Sequence, residues 1–466
     1  MNRYTCYFTA HARVAPGETR RRGAVSATTL LTLKLPRSLR ADIRQIYMDV
    51  PQALQHARSR NADQKAAAVA ALGAVARTGL PSQQRDALQS MEARDRQLLH
   101  KIAHDVNKRE LCADAADALA VAICGALSAA PDRDAASHLL RKHSYQLGFE
   151  DRSTLQLAPT VPLLLGMLAS PVTSPVGMRE AAGSLMNLAW KSQAHAHAMV
   201  SGGAFRLLVS VINSNSASDA SLLDNAAGAV LNILSHGCIN AACEAAAAGV
   251  IDTVAARLLS ARKNKWSRFG AKIVDCVTRP AAEVALRRSS KYTSIAADSS
   301  AQPVQSDALA MATIAAALAS DDKVVDFLAQ LCADAATARD TRCCALRALG
   351  SVAAADAAFA AESGSAARDI SARLGECAQP LLQVLLDVLT LSNTKIPADL
   401  RLAATECVAG LSCNPVATVG WFKANGLCSN IVEALSAQLM VDTTLGTSAC
   451  PIKPFRVLAV SLRGMK

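Results

Sequence analysis

Apolar and small residues recur along this chain at positions 1, 4, 5 and 8 of a short window, which is the spacing of one face of an α-helix. The clearest window runs from Ala181 to Leu188 and carries Asn187 inside its apolar stripe. A glycine break follows at Gly203, and a second apolar run begins after it. We find no convincing alternation of apolar and polar residues, so the pattern predicts helices and few or no strands.

The same window returns 45 residues later, where Asn232 takes the place of Asn187, and Gly249 follows it as Gly203 follows the first copy. Glycine at such a break supplies the positive φ that ends one helix and turns the chain into the next. A period near 45 residues is typical of helical solenoids. Weaker copies of the window begin at Ala68, Ala120, Gly270, Ala345 and Ala404.

These repeats resemble the armadillo-repeat family. The resemblance is carried by PLLLGMLAS, REAAGSLMNLA, AMVSGGAFRLLVSVI, NAAGAVLNILS and AAAAGVIDTVAARLL, within about residues 162–260. It implies an all-α fold, a right-handed α-solenoid of three-helix units in which partners bind a concave groove lined by the third helices. We therefore predict about seven to eight armadillo-like units across residues 46–440, with HEAT-like units as the alternative at about 50–160 and 305–440.

The resemblance also indicates candidate partner-binding residues. In peptide-binding armadillo proteins an asparagine at this third-helix position hydrogen-bonds the main chain of an extended partner, which implies a groove containing Asn187, Asn232 and the nearby Trp190. Alternatively, both asparagines hydrogen-bond within the solenoid and set its register. The family pattern has a tryptophan four residues before the asparagine, but this chain has Gly183 and Gly228 there. Binding of a nuclear-import signal is therefore not expected.

Positive charge is concentrated in two segments. The chain carries +11, of which residues 1–44 hold +7 and residues 257–291 hold +8, so the remainder is mildly acidic. Cations bind phosphates and aromatic rings stack on bases, which makes an RNA-binding helical-repeat protein the alternative function. Equally, Trp266 and Phe269 can form one buried helix face. The candidate basic patch comprises Arg262, Lys263, Lys265, Trp266, Arg268 and Lys272.

The remaining segments suggest flanking regions and a location. Residues 1–45 are predicted to be a basic arm, either disordered or a mitochondrial transit peptide. Residues 286–307 are polar and predict a loop inserted in the array, with Ser290 after two arginines as a candidate phosphorylation site, and residues 441–466 form a tail. The cysteines show no framework spacing, which favours reduced thiols and a cytoplasmic location, with mitochondria as the alternative.

Signals for catalysis are weak. His100 and His104 have the i, i+4 spacing of metal ligands, but no third ligand is evident, so we predict a solvated helix face. We predict no enzyme activity, no metal, no cofactor and no transmembrane segment. The function predicted is a non-catalytic scaffold or adaptor that binds an extended or acidic segment of a partner protein in its groove.

Overall fold

The structure is a computed structural model. It describes residues 48–78, 82–105, 109–129, 132–146, 157–214, 219–236, 239–261, 264–291, 305–320, 323–363, 381, 384–385, 387–388 and 397–413. These residues form eighteen α-helices and one short π-helix, and none of them lies in a strand. The prediction of an all-α chain is confirmed.

The helices span the described residues from Val50 to Ser412. In chain order they are α1 (Val50–Ala57), α2 (Ala62–Thr78), α3 (Ser82–Gln89), α4 (Ala93–Ala103), α5 (Arg109–Ser128), α6 (Arg133–Gln146), α7 (Thr160–Ala169), α8 (Pro175–Lys191), α9 (Gln193–Ser201), α10 (Ala204–Asn213), α11 (Ala220–Leu234), α12 (Ile239–Ala247), α13 (Val250–Thr253), π1 (Val254–Leu259), α14 (Asn264–Lys291), α15 (Gln305–Ser320), α16 (Lys323–Ala333), α17 (Arg339–Ser363) and α18 (Ala398–Ser412).

The central repeats are three-helix units, as the armadillo resemblance implies. One unit is α9, α10 and α11, and the next is α12, α13 with π1, and α14. The second helix of each unit starts immediately after a glycine in the left-handed region, Gly203 with φ 73° and Gly249 with φ 76°. Side chains other than glycine rarely adopt this conformation, so the predicted glycine turns are confirmed.

The helices that carry the repeated window stack in one row, which we call the ladder. It comprises α2, α5, α6, α8, α11, α14, α17 and α18, and each packs along the one before it. All seven windows found in the sequence lie in ladder helices. The fold is therefore an α-solenoid, as predicted, and α6 is a ladder helix that the sequence pattern did not reveal.

One continuous hydrophobic core runs along the ladder from Val50 to Leu411. Much of it is alanine, whose small side chain lets helix backbones approach closely. At the contact between α17 and α18, a Cβ atom added to Gly410 would lie 1.9 Å from the carbonyl oxygen of Gly350. No described helix has the combination of length and apolar character that crossing a membrane requires.

The predicted inserted loop is shorter than the sequence suggests. Residues 286–291 continue α14 as helix and residues 305–307 begin α15, so only residues 292–304 remain between them, outside the described residues. The polar composition of this stretch does not prevent helix formation, because arginine, glutamine and lysine are good helix formers. The N-terminal arm (1–45) and the tail (441–466) also lie outside the described residues.

Candidate partner-binding surface

Helices α8 and α11 carry the best-preserved repeats and stack on α6 in the ladder, and polar caps determine where α8 and α11 begin. Ser174 precedes α8, accepts a hydrogen bond from the Gly177 amide at 2.9 Å, and is followed by proline at the first helical position. Asp219 precedes α11 and accepts from the amides of Ser221 and Leu222. Such caps satisfy amides that the helix itself leaves unpaired. They place the two windows in matching registers.

Asn187 of α8 is buried where α8 packs against α6, the preceding helix of the ladder. Its side chain is 4% exposed, and its Nδ2 donates to the carbonyl oxygen of Arg141 at 3.0 Å and to Oγ of Ser144 at 3.3 Å. Asn232 repeats the arrangement one unit later, because its Nδ2 donates to the Met186 carbonyl oxygen at 2.8 Å. Each asparagine thus joins its own helix to the preceding ladder helix.

A third asparagine has the same role, although the sequence pattern did not single it out. Asn225 lies two helical turns before Asn232, is buried, and donates from Nδ2 to the carbonyl oxygen of Arg179 at 3.0 Å. The seven-residue separation from Asn232 is the signal that could have revealed it, since such residues share one helix face. The hydrogen bonds within the solenoid that were one of the two alternatives for Asn187 and Asn232 are therefore present. A partner contact by either amide stays a prediction.

One stripe of matching positions on these three helices forms a regular surface, which we call the ladder face. Its positions recur every 45 residues, so the three helices present matching levels. Residues at i, i+4, i+7 and i+11 fall on one stripe of a helix. The ladder face consists of Asp134, His138, Arg141 and Tyr145 on α6, Arg179, Gly183, Met186 and Trp190 on α8, and Asp224, Gly228, Leu231 and Ser235 on α11.

Glycines on the ladder face accommodate side chains of the preceding helix. A Cβ atom added to Gly183 would lie 2.7 Å from Nε of Arg141, and one added to Gly228 would lie 2.5 Å from Sδ of Met186. Arg141 and Met186 themselves occupy equivalent positions. The glycines stand where tryptophan is found in the peptide-binding family pattern, and here that space is filled from within the chain.

A buried carboxylate organises the charges on this surface. The carboxylate oxygens of Glu180 lie 3.3 Å from Nη1 of Arg141, 3.6 Å from Nε of Arg179 and 3.2 Å from Nδ1 of His138. Arg179 also reaches the capping carboxylate of Asp219 at 3.3 Å. Because a buried charge is stable only when it is paired, this network holds Arg141 across Gly183.

Two exposed aromatic side chains lie at one end of the ladder face. Tyr145 is 66% exposed and Trp190 is 46% exposed, and both occupy the last level of adjacent helices. The ammonium group of Lys191 lies 4.3 Å from the centroid of the Trp190 ring, which is within cation–π range. Exposed lysine at position 142 adds positive charge next to Tyr145. The predicted groove residue Trp190 is thus exposed, and Tyr145 joins it on the same level.

The predicted basic segment is largely paired with neighbouring helices. Lys265 forms an ion pair with Asp224, and Nε1 of Trp266 donates to the same carboxylate at 2.8 Å. Arg268 lies 3.6 Å from Asp340. Trp266 and Phe269 are partly buried and pack against the core, as the buried-face interpretation proposed.

The other predicted residues near this segment are less informative. Lys272 is exposed, whereas Arg262 and Lys263 lie outside the described residues. Ser290 lies in the final turn of α14 and not in a loop. Phosphorylation of Ser290 and nucleic-acid binding by this segment both stay predictions.

His100 and His104 do not lie on a solvated helix face, which corrects that expectation. The structure brings His143 of α6 against them, with ring centroids 4.7 to 6.1 Å apart and His104 Nε2 3.0 Å from His143 Nδ1. Burial lowers the pKa of His104 to about 4 and that of His143 to about 3, with neighbouring imidazoles as a second cause. The described residues contain no group of three or more ligands arranged to hold a metal ion.

Comparisons with known proteins found similar solved structures but no matching family. No protein-family model matches the chain, and no curated protein matches it. Similar solved structures include an engineered protein from the Northeast Structural Genomics Consortium, 18% identical with a TM-score of 0.42, covering 62% of this chain and 96% of that one. Another is a designed armadillo repeat protein in complex with the peptide (KR)4, 16% identical with a TM-score of 0.41, covering 62% of this chain and 98% of that one.

Proposed function

We propose that this protein is a non-catalytic scaffold or adaptor that binds an extended segment of a partner protein along the ladder face. The observation that carries the proposal is the exposed pair Tyr145 and Trp190 at one level of a surface that repeats every 45 residues. Large exposed aromatic residues in a repeating array are typical of interaction sites, since they bury much area at little entropic cost.

The spacing of the ladder suits an extended chain. Packed helices lie about 8–10 Å apart, and an extended chain advances about 3.3 Å per residue, so neighbouring helices correspond to about every third residue of the ligand. A partner side chain resting on Tyr145 would then be followed three residues later by one resting on Trp190.

The charges near the aromatic pair indicate the chemistry of the partner. Lys142 and Arg141 lie on or beside this end of the ladder face, and Arg141 pairs with Glu180 whereas Lys142 is exposed. An apolar or aromatic segment flanked by acidic residues complements this end. We therefore propose an acidic, extended partner segment.

The proposal predicts that Tyr145→Ser combined with Trp190→Ser abolishes partner capture without lowering the melting temperature. Removing an interface aromatic commonly costs about 2 kcal/mol or more, which is about thirtyfold in affinity. The measurement is affinity capture with the full chain, followed by mass spectrometry and by thermal melting of each variant. Val172→Ser is the matched control, because Val172 is 86% exposed but lies outside the ladder face.

Proteins captured by the wild-type chain and by the Val172→Ser control should be missing with the double variant. Equal capture by all three chains would contradict the proposal. Nuclease treatment before capture separates the RNA-binding alternative, because loss of all captured protein after that treatment would indicate that nucleic acid bridges the partners.

A further inference from the structure

A second surface feature, separate from the aromatic pair, lies between α4 and α6. The two helices enclose a cleft of about 350 Å³, open to solvent on one side. This volume is at the lower end of the range for small-molecule sites, about 300–1,000 Å³. We call it the α4–α6 cleft. Five of its lining residues are basic or carry an imidazole: Arg96, His100 and Lys101 from α4, with His138 and Lys142 from α6.

Two of these groups are already neutralised within the chain. Arg96 is buried, and its Nη2 donates to Asp132 at 2.9 Å while Nη1 donates to the Met91 carbonyl oxygen. His138 lies 3.2 Å from Glu180. These pairs fix the walls of the cleft but leave its remaining charge uncompensated.

Lys101 and Lys142 hold that remaining charge. Neither lysine has an ion-pair partner among the residues that the structure describes, and they project from different helices into the wall of one cleft. Like charges placed around a shared concave space repel one another and attract an anion. The positive charge of Lys142 acts inside the cleft. Burial is the main cause that lowers the pKa of His100, and the charge of Lys142 is the second cause.

His100 adds a polar atom that lacks a partner. Its Nε2 is buried and makes no hydrogen bond within the described part of the chain. A buried nitrogen without a partner is costly, so such atoms commonly mark the place of a ligand or water. The His100 residue lines the same cleft as the two lysines.

From these observations we infer that the α4–α6 cleft binds a phosphate group, held by Lys101, Lys142 and the His100 imidazole. Two unpaired lysines match the charge of a phosphate monoester, which is about −1.5 to −2 at neutral pH. The cleft is larger than a phosphate ion and has apolar walls at Ala93, Ala135 and Leu139, which leaves room for the organic group that carries the phosphate. The cleft contains His138 of the ladder face and Lys142 beside it, but phosphate binding is inferred without any use of the aromatic pair Tyr145 and Trp190.

The test is isothermal titration calorimetry on the full chain with O-phosphoserine and with inorganic phosphate. We expect Lys101→Gln combined with Lys142→Gln to weaken binding of both probes by at least about tenfold, since each charged hydrogen bond is lost. The control pairs Arg94→Gln with Lys65→Gln, which removes the same net charge. Arg94 is on α4 but outside the cleft, paired with Glu92, and Lys65 is on α2.

The control variant should bind both probes as the wild type does. Absence of binding to the wild-type chain, or equal weakening in the control, would overturn the inference. A third probe, a phosphoserine peptide, distinguishes the source of the phosphate: tighter binding than O-phosphoserine indicates a phosphorylated partner, and equal binding indicates a small organic phosphate. Partner capture through Tyr145 and Trp190 is measured separately, so the two proposals can fail independently.

Discussion

Gly410→Ala should destabilise the C-terminal end of the ladder by about 3 kcal/mol, whereas the same substitution at Gly166 should be neutral or slightly stabilising. A Cβ atom on Gly410 would lie 1.9 Å from the Gly350 carbonyl oxygen and 2.4 Å from its carbon. Both atoms belong to the backbone of α17, so no side-chain rotation can relieve the clash. The two helices must move apart, which opens the core around Cys407 and Leu411.

Gly166 is a matched control because it also lies within a helix but has open space around it. Apart from the backbone of its own helix and its chain neighbours, no atom lies within 4 Å of the position that its Cβ would take. Alanine there gains up to about 1 kcal/mol of helix propensity. Urea unfolding combined with hydrogen exchange of residues 398–413 measures both variants. Unchanged protection of α18 in the Gly410→Ala chain would show that α17 and α18 are not in this close contact.

Acidification should destabilise the contact between α4 and α6 by several kcal/mol between about pH 6.5 and pH 4. His143 is fully buried, and its pKa of about 3 in the folded chain lies below the usual histidine value of 6.5. In this range the unfolded chain binds a proton at His143 and the folded chain does not. The neutral, buried His143 therefore makes its full contribution to the free energy of unfolding above the pKa of the unfolded chain. That contribution is lost as pH falls, at about 1.4 kcal/mol per pH unit.

The matched variant for this prediction is His143→Leu. Leucine is the residue at the equivalent position of α8, Leu188, and it packs in the core. Thermal melting from pH 7 to pH 4 should show a clearly smaller loss of stability in the variant than in the wild type. Parallel pH dependences of the two chains would contradict the assignment of the acid effect to His143.

The sequence predicts most of the ladder because its helices bury a small, regular face. The windows beginning at Ala181 and Ala226 lie in α8 and α11 with the predicted turns at Gly203 and Gly249. Small residues at fixed spacing are required wherever one helix packs closely on the next, so the constraint is visible in the sequence. Helix α6 escaped detection because Lys142 and His143 occupy the window positions of Asn187 and Leu188.

The candidate site was less predictable, because it depends on the direction in which each side chain points. Successive residues of an α-helix are rotated by about 100°, so neighbours such as Asn187 and Met186 reach different surfaces. Met186 lies on the ladder face, whereas Asn187 points towards α6. The window reveals the register of the repeat but not this rotation. Tyr145 was not predicted because it lies on α6, where Lys142 and His143 interrupt the repeated window.

The most direct test of this account is the melting temperature of the chain carrying Asn187→Ala and Asn232→Ala. The account holds that both amides join consecutive ladder helices, through the carbonyl oxygens of Arg141 and Met186. Each lost hydrogen bond to a buried backbone group should cost about 1–3 kcal/mol, so the melting temperature should fall by several degrees. An unchanged melting temperature together with lost partner capture would contradict the account and place both asparagines in a binding groove.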